Sequence, residues 1–239
     1  MSLLAINGSP RGKEGNTERI LVPFLEGVRA AGIRTETIYL KNYKINHCMG
    51  CLSCWTKTPG VCIHHDDMAK LLEKVLEPEI IVYATPLYHF SVTGFMKDFL
   101  DRFSMPLLTP GILCKDGRYY HEDRYPGKGP QKTVLISNCG FPRQYNFSGL
   151  CESVRLSLGH APNATIICSQ GELLHSEKLA GLLAPFFAAV RKAGKEMVEY
   201  GYITPETQTI LDKDLMDPMV YMERANNYWQ QTQNSTTTG

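Results

Sequence analysis

Two groups of residues in this 239-residue chain have types and spacings that could do chemistry. The first is Cys48-Met49-Gly50-Cys51-Leu52-Ser53-Cys54 followed by Cys62, a C-x2-C-x2-C-x7-C arrangement. Four thiolates so placed can wrap an iron–sulfur cubane. The compact run brings three sulfurs to three irons, and the longer gap returns the fourth. Zinc, which takes four tetrahedral sulfurs, competes for the same donors. Without a metal, the thiols would pack together or oxidise readily. The remaining cysteines, at 114, 139, 151 and 168, read as buried or incidental.

The second group is Gly8-Ser9-Pro10-Arg11-Gly12-Lys13-Glu14-Gly15-Asn16-Thr17, between an apolar run and a helical pattern. A turn feeding a helix N-terminus collects unpaired N–H groups and the positive end of the helix dipole, which makes it an anion site. Ser9, Asn16 and Thr17 add short donors, and Arg11 adds a charged fork. The spacing is neither a Walker A loop nor G-x-G-x-x-G, so nucleoside triphosphates and dinucleotide pyrophosphates are disfavoured. A terminal phosphate held by small donors is the remaining reading.

Two further loops accompany it. One runs Thr85-Pro86-Leu87-Tyr88-His89-Phe90-Ser91. Pro86 stiffens it, and Leu87, Tyr88 and Phe90 offer flat apolar surface to a ring. His89 is either a hydrogen-bonding partner for such a ring or its substrate, or purely structural. The other runs Ser137-Asn138-Cys139-Gly140-Phe141-Pro142, where Gly140 permits close backbone approach and Phe141 can flank a ring.

Each loop needs an element to position it. Strands are expected at Ser2 to Asn7, Arg34 to Leu40, Glu79 to Ala84, Lys132 to Ser137 and Ala164 to Ser169, all short apolar runs bounded by turn residues. Amphipathic helices fill the gaps: Thr17 to Ala31 with a bend at Pro23, Asp66 to Leu76, Val92 to Phe103, Gly149 to Leu158, and Leu173 to Glu199 with a break at Pro185. Alternating strands and helices predict an α/β, doubly wound, five-stranded parallel sheet in the flavodoxin-like order 2-1-3-4-5, with all three loops at one sheet edge. The expected domain spans residues 1–200 and includes the cysteine loop 48–62. An insertion at 104–131, before the fourth strand, is expected to be a lid, an interface or a surface loop. A polar helical extension is expected at 201–229, and a disordered tail at 230–239.

Composition narrows the function classes. The chain has 25 Lys plus Arg, 24 Asp plus Glu and a formal charge of +1, with 43% hydrophobic residues, so it is globular and lacks the basic surface that nucleic acid requires. No apolar run approaches the roughly 18 to 20 residues that span a bilayer. Met1 to Asn7 does not read as a signal peptide, so a reducing cytoplasmic setting is expected.

The pieces GSPRGKEGNT, TPLYHFSVTGFMKDFLDR and NCGFP together resemble the flavodoxin-like NAD(P)H-dependent FMN reductase family over roughly residues 1 to 195. The resemblance implies an FMN phosphate at Ser9, Arg11, Asn16 and Thr17. It places the isoalloxazine beside Pro86, Leu87, Tyr88, Cys139, Gly140 and Phe141, with His89 as a further candidate. NAD(P)H is the implied co-substrate. The flavin carries the electron chemistry, so no catalytic triad is expected. Acceptors of the implied kind are quinones, aromatic nitro or azo compounds, free flavin or a redox protein, and the implied assembly is a homodimer or homotetramer. The cysteine run, with Asp66-Asp67-Met68 after it, resembles the iron–sulfur flavoprotein branch of that family. That would put a [4Fe–4S] cluster on Cys48, Cys51, Cys54 and Cys62. A non-enzymatic electron carrier is the alternative, although the near-neutral charge lacks the acidic docking face such carriers present. A thiol- or zinc-based regulator is a third reading.

Overall fold

The structure is a computed structural model that describes residues 1–236. In chain order its elements are β1 (Ser2–Asn7), α1 (Asn16–Ala30), β2 (Arg34–Tyr39), α2 (Ser53–Thr56), α3 (Met68–Val75), β3 (Ile80–Pro86), α4 (Gly94–Leu107), β4 (Leu108–Lys115), β5 (Arg118–Asp123), β6 (Lys132–Asn138), α5 (Ser148–Leu158), β7 (Ala164–Cys168), α6 (Ala180–Glu199), α7 (Pro205–Leu211) and α8 (Pro218–Thr236). The main sheet is parallel in the order β2-β1-β3-β6-β7, which is the expected doubly wound arrangement.

Strand side chains alternate between two cores. Leu3 and Ala5 join Ile20, Phe24 and Phe186 on one face, and Leu4 and Ile6 join Met68, Phe99 and Leu150 on the other. Strands buried on both faces read as continuous apolar runs, which is why β1, β3 and β6 are legible. The chain order reverses at β1, so the loops after β1 and β3 splay apart there and leave a crevice at the carboxyl edge.

The layer of α1 and α6 is held by backbone contact. A Cβ built on Gly27 would lie 1.9 Å from the Arg191 carbonyl oxygen, and one on Gly194 would lie 2.0 Å from that of Phe24. Neither acceptor is a flexible side-chain end, so the helices must separate to admit a methyl group. Gly194→Ala is therefore expected to cost about 2–3 kcal/mol in urea unfolding, more than the roughly 1 kcal/mol that alanine gains as a helix former. A loss near zero would show that the crossing is loose.

Several expectations are corrected. Pro185 lies inside α6 and does not break it. The irregular stretch comes earlier, as 3₁₀ turns at Gly171–His175 and Glu177–Leu179. Pro23 lies inside α1, which continues through it to Ala30. The insertion is not a plain loop: α4 runs to Leu107, and β4 and β5 then form an antiparallel hairpin. The extension is two helices, α7 and α8, joined by a short loop. The tail expected to be disordered from residue 230 continues α8 to Thr236, and the rest of it lies outside the described residues. Among the described residues no helix is long and apolar enough to cross a membrane.

Candidate functional site

The loop after β1 is built by its own polar residues. Asn7 Oδ1 accepts from Ser9 N at 2.8 Å, and Ser9 Oγ accepts from Arg11 N at 3.3 Å. Glu18 accepts from Asn7 Nδ2 at 2.9 Å and from the Tyr39 hydroxyl at 2.6 Å, which fixes the first turn of α1. Gly12 has a φ of +56°, and a Cβ on Gly15 would meet Ser9 Oγ at 2.5 Å, so both glycines are required. No side chain caps the N-terminus of α1. Asn16 is 3% exposed, and its buried Oδ1 has no hydrogen-bond partner. An uncapped helix start suits an anion, and the Asn16 amide would join it once turned about its last torsion so that Nδ2, in place of the orphaned Oδ1, faces the site.

Three bonds lock this loop to the other two. Thr93 Oγ1 donates to Gly8 O at 2.6 Å, and Gly8 N donates to Ala84 O at 2.8 Å, both toward the loop after β3. Asn138 Nδ2 donates to Thr17 Oγ1 at 2.8 Å, toward the loop after β6. The structure thus brings the three sequence-predicted loops together. Ser9, Asn16 and Thr17 are buried in the turn, while Arg11 is exposed. Sequence reasoning missed Asn7, Thr93 and Asn138. The available signal was an asparagine closing each of two otherwise apolar strands.

The loop after β3 carries strain. Tyr88 and Ser91 exchange backbone hydrogen bonds of 3.0 Å, and between them His89 and Phe90 have φ of 49° and 61°. Two left-handed residues in a two-residue turn normally call for Asn-Gly. A bulky pair held there costs on the order of 1 kcal/mol per residue or more, and such strain concentrates at functional sites. Tyr88, His89 and Phe90 are exposed, and Pro86 and Leu87 are half-buried at the strand end. Leu87 N donates to Asn138 O at 2.8 Å.

The loop after β6 is held from behind. Cys139 N donates to Cys168 O at 3.1 Å, and Cys139 O accepts from Gly171 N at 2.7 Å. Burial pushes the Cys139 thiol up, which makes it a poor nucleophile. Phe141 is exposed. A Cβ on Gly140 would meet only ordinary contacts, the nearest at 3.7 Å, so the strained position is Arg143 instead, at φ 73°. Arg143 is secured by the segment between α7 and α8. Asp214 Oδ1 accepts from Arg143 N at 3.0 Å and from Ser169 Oγ at 2.9 Å, and Gln170 pairs twice with the Met216 backbone at 2.9 Å. Tyr221 packs beside Gly140, its hydroxyl pKa pushed up to about 12 by burial and then by nearby Glu172 and Cys139.

The four loop cysteines face one small cavity of about 20 Å³, with His64 and Arg102 also in its wall. Cys48 and Cys51 are exposed, Cys62 is half-buried and Cys54 is buried. Burial, together with Cys62, Cys48 and Cys51 nearby, pushes the Cys54 thiol up, whereas backbone and side-chain hydrogen bonds at Ser53 lower that of Cys51. Among the described residues no three side chains are gathered closely enough to hold a metal ion. His64 Nε2 and Arg102 Nε are nevertheless buried beside the sulfurs without partners. Four soft donors on one cavity, flanked by unsatisfied nitrogens, suit a sulfur-ligated group. The hairpin docks here and not over the crevice. Trp55 Nε1 donates to Met105 O at 2.6 Å, its ring lies 4.6 Å from His121, and Arg124 Nη2 donates to Cys54 O at 3.3 Å.

Comparison with known proteins matches this geometry to a lineage. An iron-sulfur flavoprotein of Archaeoglobus fulgidus is 44% identical over 105 residues, which is 44% of this chain and 50% of that one. The chain thus spans about half the length of that curated relative. Among solved structures, an NAD(P)H:quinone oxidoreductase from Methanothermobacter marburgensis gives a TM-score of 0.61 at 15% identity, covering 82% of this chain and 98% of its own. An FMN-dependent NADH-azoreductase from Bacillus anthracis, solved in complex with FMN, gives 0.60 at 15% identity, covering 82% and 99%. At that identity the structures show the shared fold alone. Residues 1–122 match the sequence family described as NADPH-dependent FMN reductase, a stretch that includes the first two loops and the whole cysteine run. The chain belongs to the NADPH-dependent FMN reductase family.

Proposed function

We propose that this chain is an NAD(P)H-dependent flavin oxidoreductase with FMN at the joined loops. The reading rests chiefly on one observation: three loops, bonded to each other through Thr93, Thr17 and Asn138, surround an uncapped helix start with an orphaned amide. Bound there, FMN would take electron pairs from NAD(P)H and pass them on, to a quinone, an aromatic nitro or azo compound, free flavin or a redox protein. The protein's task is placement. Ser9, Asn16 and the first N–H groups of α1 would hold the phosphate, with Arg11 closing over it from solvent. Thr17 would donate its O–H to the phosphate as well, while its oxygen accepts from Asn138 Nδ2 and through that residue steadies Leu87. Pro86, Leu87, Tyr88, Cys139, Gly140 and Phe141 would border the ring, and His89 stands at its edge. Exposed Tyr88, Phe90, Phe141 and Tyr145 leave apolar surface that a second copy would cover in a homodimer or homotetramer. The test is an absorption spectrum of the purified protein, followed by NAD(P)H consumption with a quinone or ferricyanide. A colourless protein that refuses added FMN would overturn the reading.

The strap across the third loop gives a separate expectation. Asp214→Ala removes the acceptor that holds Arg143 N in a left-handed conformation, so FMN should dissociate about tenfold more readily while the sheet stays folded. Equilibrium dialysis checks this, and unchanged affinity would separate the strap from the site.

A second reading is an iron–sulfur flavoprotein that carries electrons between partners, with a [4Fe–4S] cluster on Cys48, Cys51, Cys54 and Cys62. The shared cavity of the four cysteines and the name borne by the Archaeoglobus relative favour it. Such a cluster would split electron pairs into single steps. Purification without air, then iron and sulfide analysis, decides: about four of each per chain supports the cluster, and stoichiometric absence of both removes it.

A further inference from the structure

The wall of the cysteine cavity holds two nitrogens whose hydrogen bonds the fold does not complete. Arg102, on α4, is 1% exposed, and its guanidinium is bonded end-on. Nη1 and Nη2 donate to the two Asp66 carboxylate oxygens at 2.8 and 3.1 Å, and Nη1 donates again to Asn46 O at 2.9 Å. This pairing fixes the guanidinium plane and with it the direction of the Nε–H, which is buried without a partner. His64 Nε2, between Cys62 and α3, is likewise buried without a partner.

A buried N–H without an acceptor is costly, the more so on a charged group. The wall limits what can accept. Leu52, Ile63 and Pro106 are apolar there. Besides the four cysteine sulfurs, the strong side-chain acceptor is Asp101, and both its oxygens already accept from Lys97 Nζ at 2.6 Å. Cys62 lies beside the Arg102 guanidinium. A neutral thiol is a weak acceptor, whereas a thiolate is a metal ligand and carries the charge that a fixed N–H seeks. Two donors aimed at four sulfurs therefore match the sulfurs in their metal-bound, deprotonated form.

We propose that Arg102 Nε and His64 Nε2 donate hydrogen bonds to the sulfurs of a [4Fe–4S] group held by Cys48, Cys51, Cys54 and Cys62, and so raise its reduction potential. The inference rests on the second reading above and adds to it the residues that tune the group. The two N–H groups stabilise negative charge on the sulfurs. Reduction adds one electron there, so the reduced form gains more from both donors than the oxidised form does.

The test is a redox titration of the full chain, purified without air and followed by the EPR signal of the reduced iron–sulfur group. His64→Leu removes one donor. Arg102→Lys removes the other and keeps a positive charge beside Asp66. Each should shift the oxidised-to-reduced ratio about tenfold toward the oxidised form, a fall of about 59 mV for one electron. His64→Gln, which returns an N–H at similar reach, should recover most of the parent's potential. A merely structural role would alter stability or iron content and leave the potential in place. An unchanged potential in a fully loaded variant overturns the donor role of that residue. Loss of iron from His64→Leu would make His64 a ligand, and overturns its role as a donor. Should Arg102→Lys fail to fold, His64→Leu still decides the matter. A parent that holds no iron or sulfide overturns the cluster reading and this inference together, whereas a loaded parent with unshifted variants overturns the inference alone.

Discussion

Arg102→Met is expected to destabilise the fold by about 3–5 kcal/mol, the cost of leaving a buried charge without its partner. The side chains of Arg102 and Asp66 are 1% and 0% exposed, and they meet through two bonds of 2.8 and 3.1 Å. Arg102 also donates to Asn46 O at 2.9 Å, and Asp66 accepts from Asn46 N at 2.9 Å. One ion pair on α4 therefore ties both ends of the cysteine loop, at residues 46 and 66. Met fills a similar volume, so the loss would come from the stranded carboxylate and not from a void. Urea unfolding at neutral pH measures it. Arg102→Met with Asp66→Leu should recover most of the loss, and an equally unstable double variant would show that packing, not charge, matters here.

The same pair sets an acid limit. Burial pushes Asp66 up, but the Arg102 bonds and the Asn46 and Met68 amides outweigh it and bring its pKa down to about 2. An unfolded aspartate titrates near 3.9, so the folded state holds the proton less tightly than the unfolded chain. Its contribution is complete above about pH 4 and is lost as pH falls toward 2. In Asp66→Asn that part of the acid dependence should vanish.

How legible the protein was depends on the range of the interactions. β1, β3 and β6 were readable because apolar residues on both faces leave no amphipathic alternative, and β2 because it alternates. The phosphate loop was readable because its glycines and short polar residues lie within ten positions. The hairpin was readable and went unread: Asp116-Gly117, with φ of 51° and 73°, is the dipeptide that closes a two-residue turn. Thr17 illustrates a finer limit. Its position in the loop suggests a phosphate donor, and its oxygen also accepts from Asn138, 121 residues away, while its O–H stays free to donate. The Asp214 strap is of the same kind. No local pattern marks an aspartate that reaches back 71 residues to one backbone N–H. The convergence of the loops follows from topology, whereas the bonds that set their spacing arise only when distant side chains meet.

Asn16→Leu should separate binding from stability with opposite signs. Asn16 begins α1 almost wholly buried, and its Oδ1 is bonded to nothing. A buried polar atom without a partner costs the folded chain about 1–3 kcal/mol. Leucine has nearly the same shape and no polar atom, so the flavin-free variant should unfold at higher denaturant than the parent. With FMN the balance reverses. Turned about its last torsion, the amide presents N–H donors to the phosphate, and a hydrogen bond to a charged group is worth about 1.5–3 kcal/mol. FMN affinity should therefore fall roughly ten- to a hundredfold. A structural asparagine would give a different result, with stability falling and flavin binding unaffected. If Asn16→Leu binds FMN as tightly as the parent, the phosphate does not lie at the start of α1, and the placement of the ring above the second and third loops fails with it.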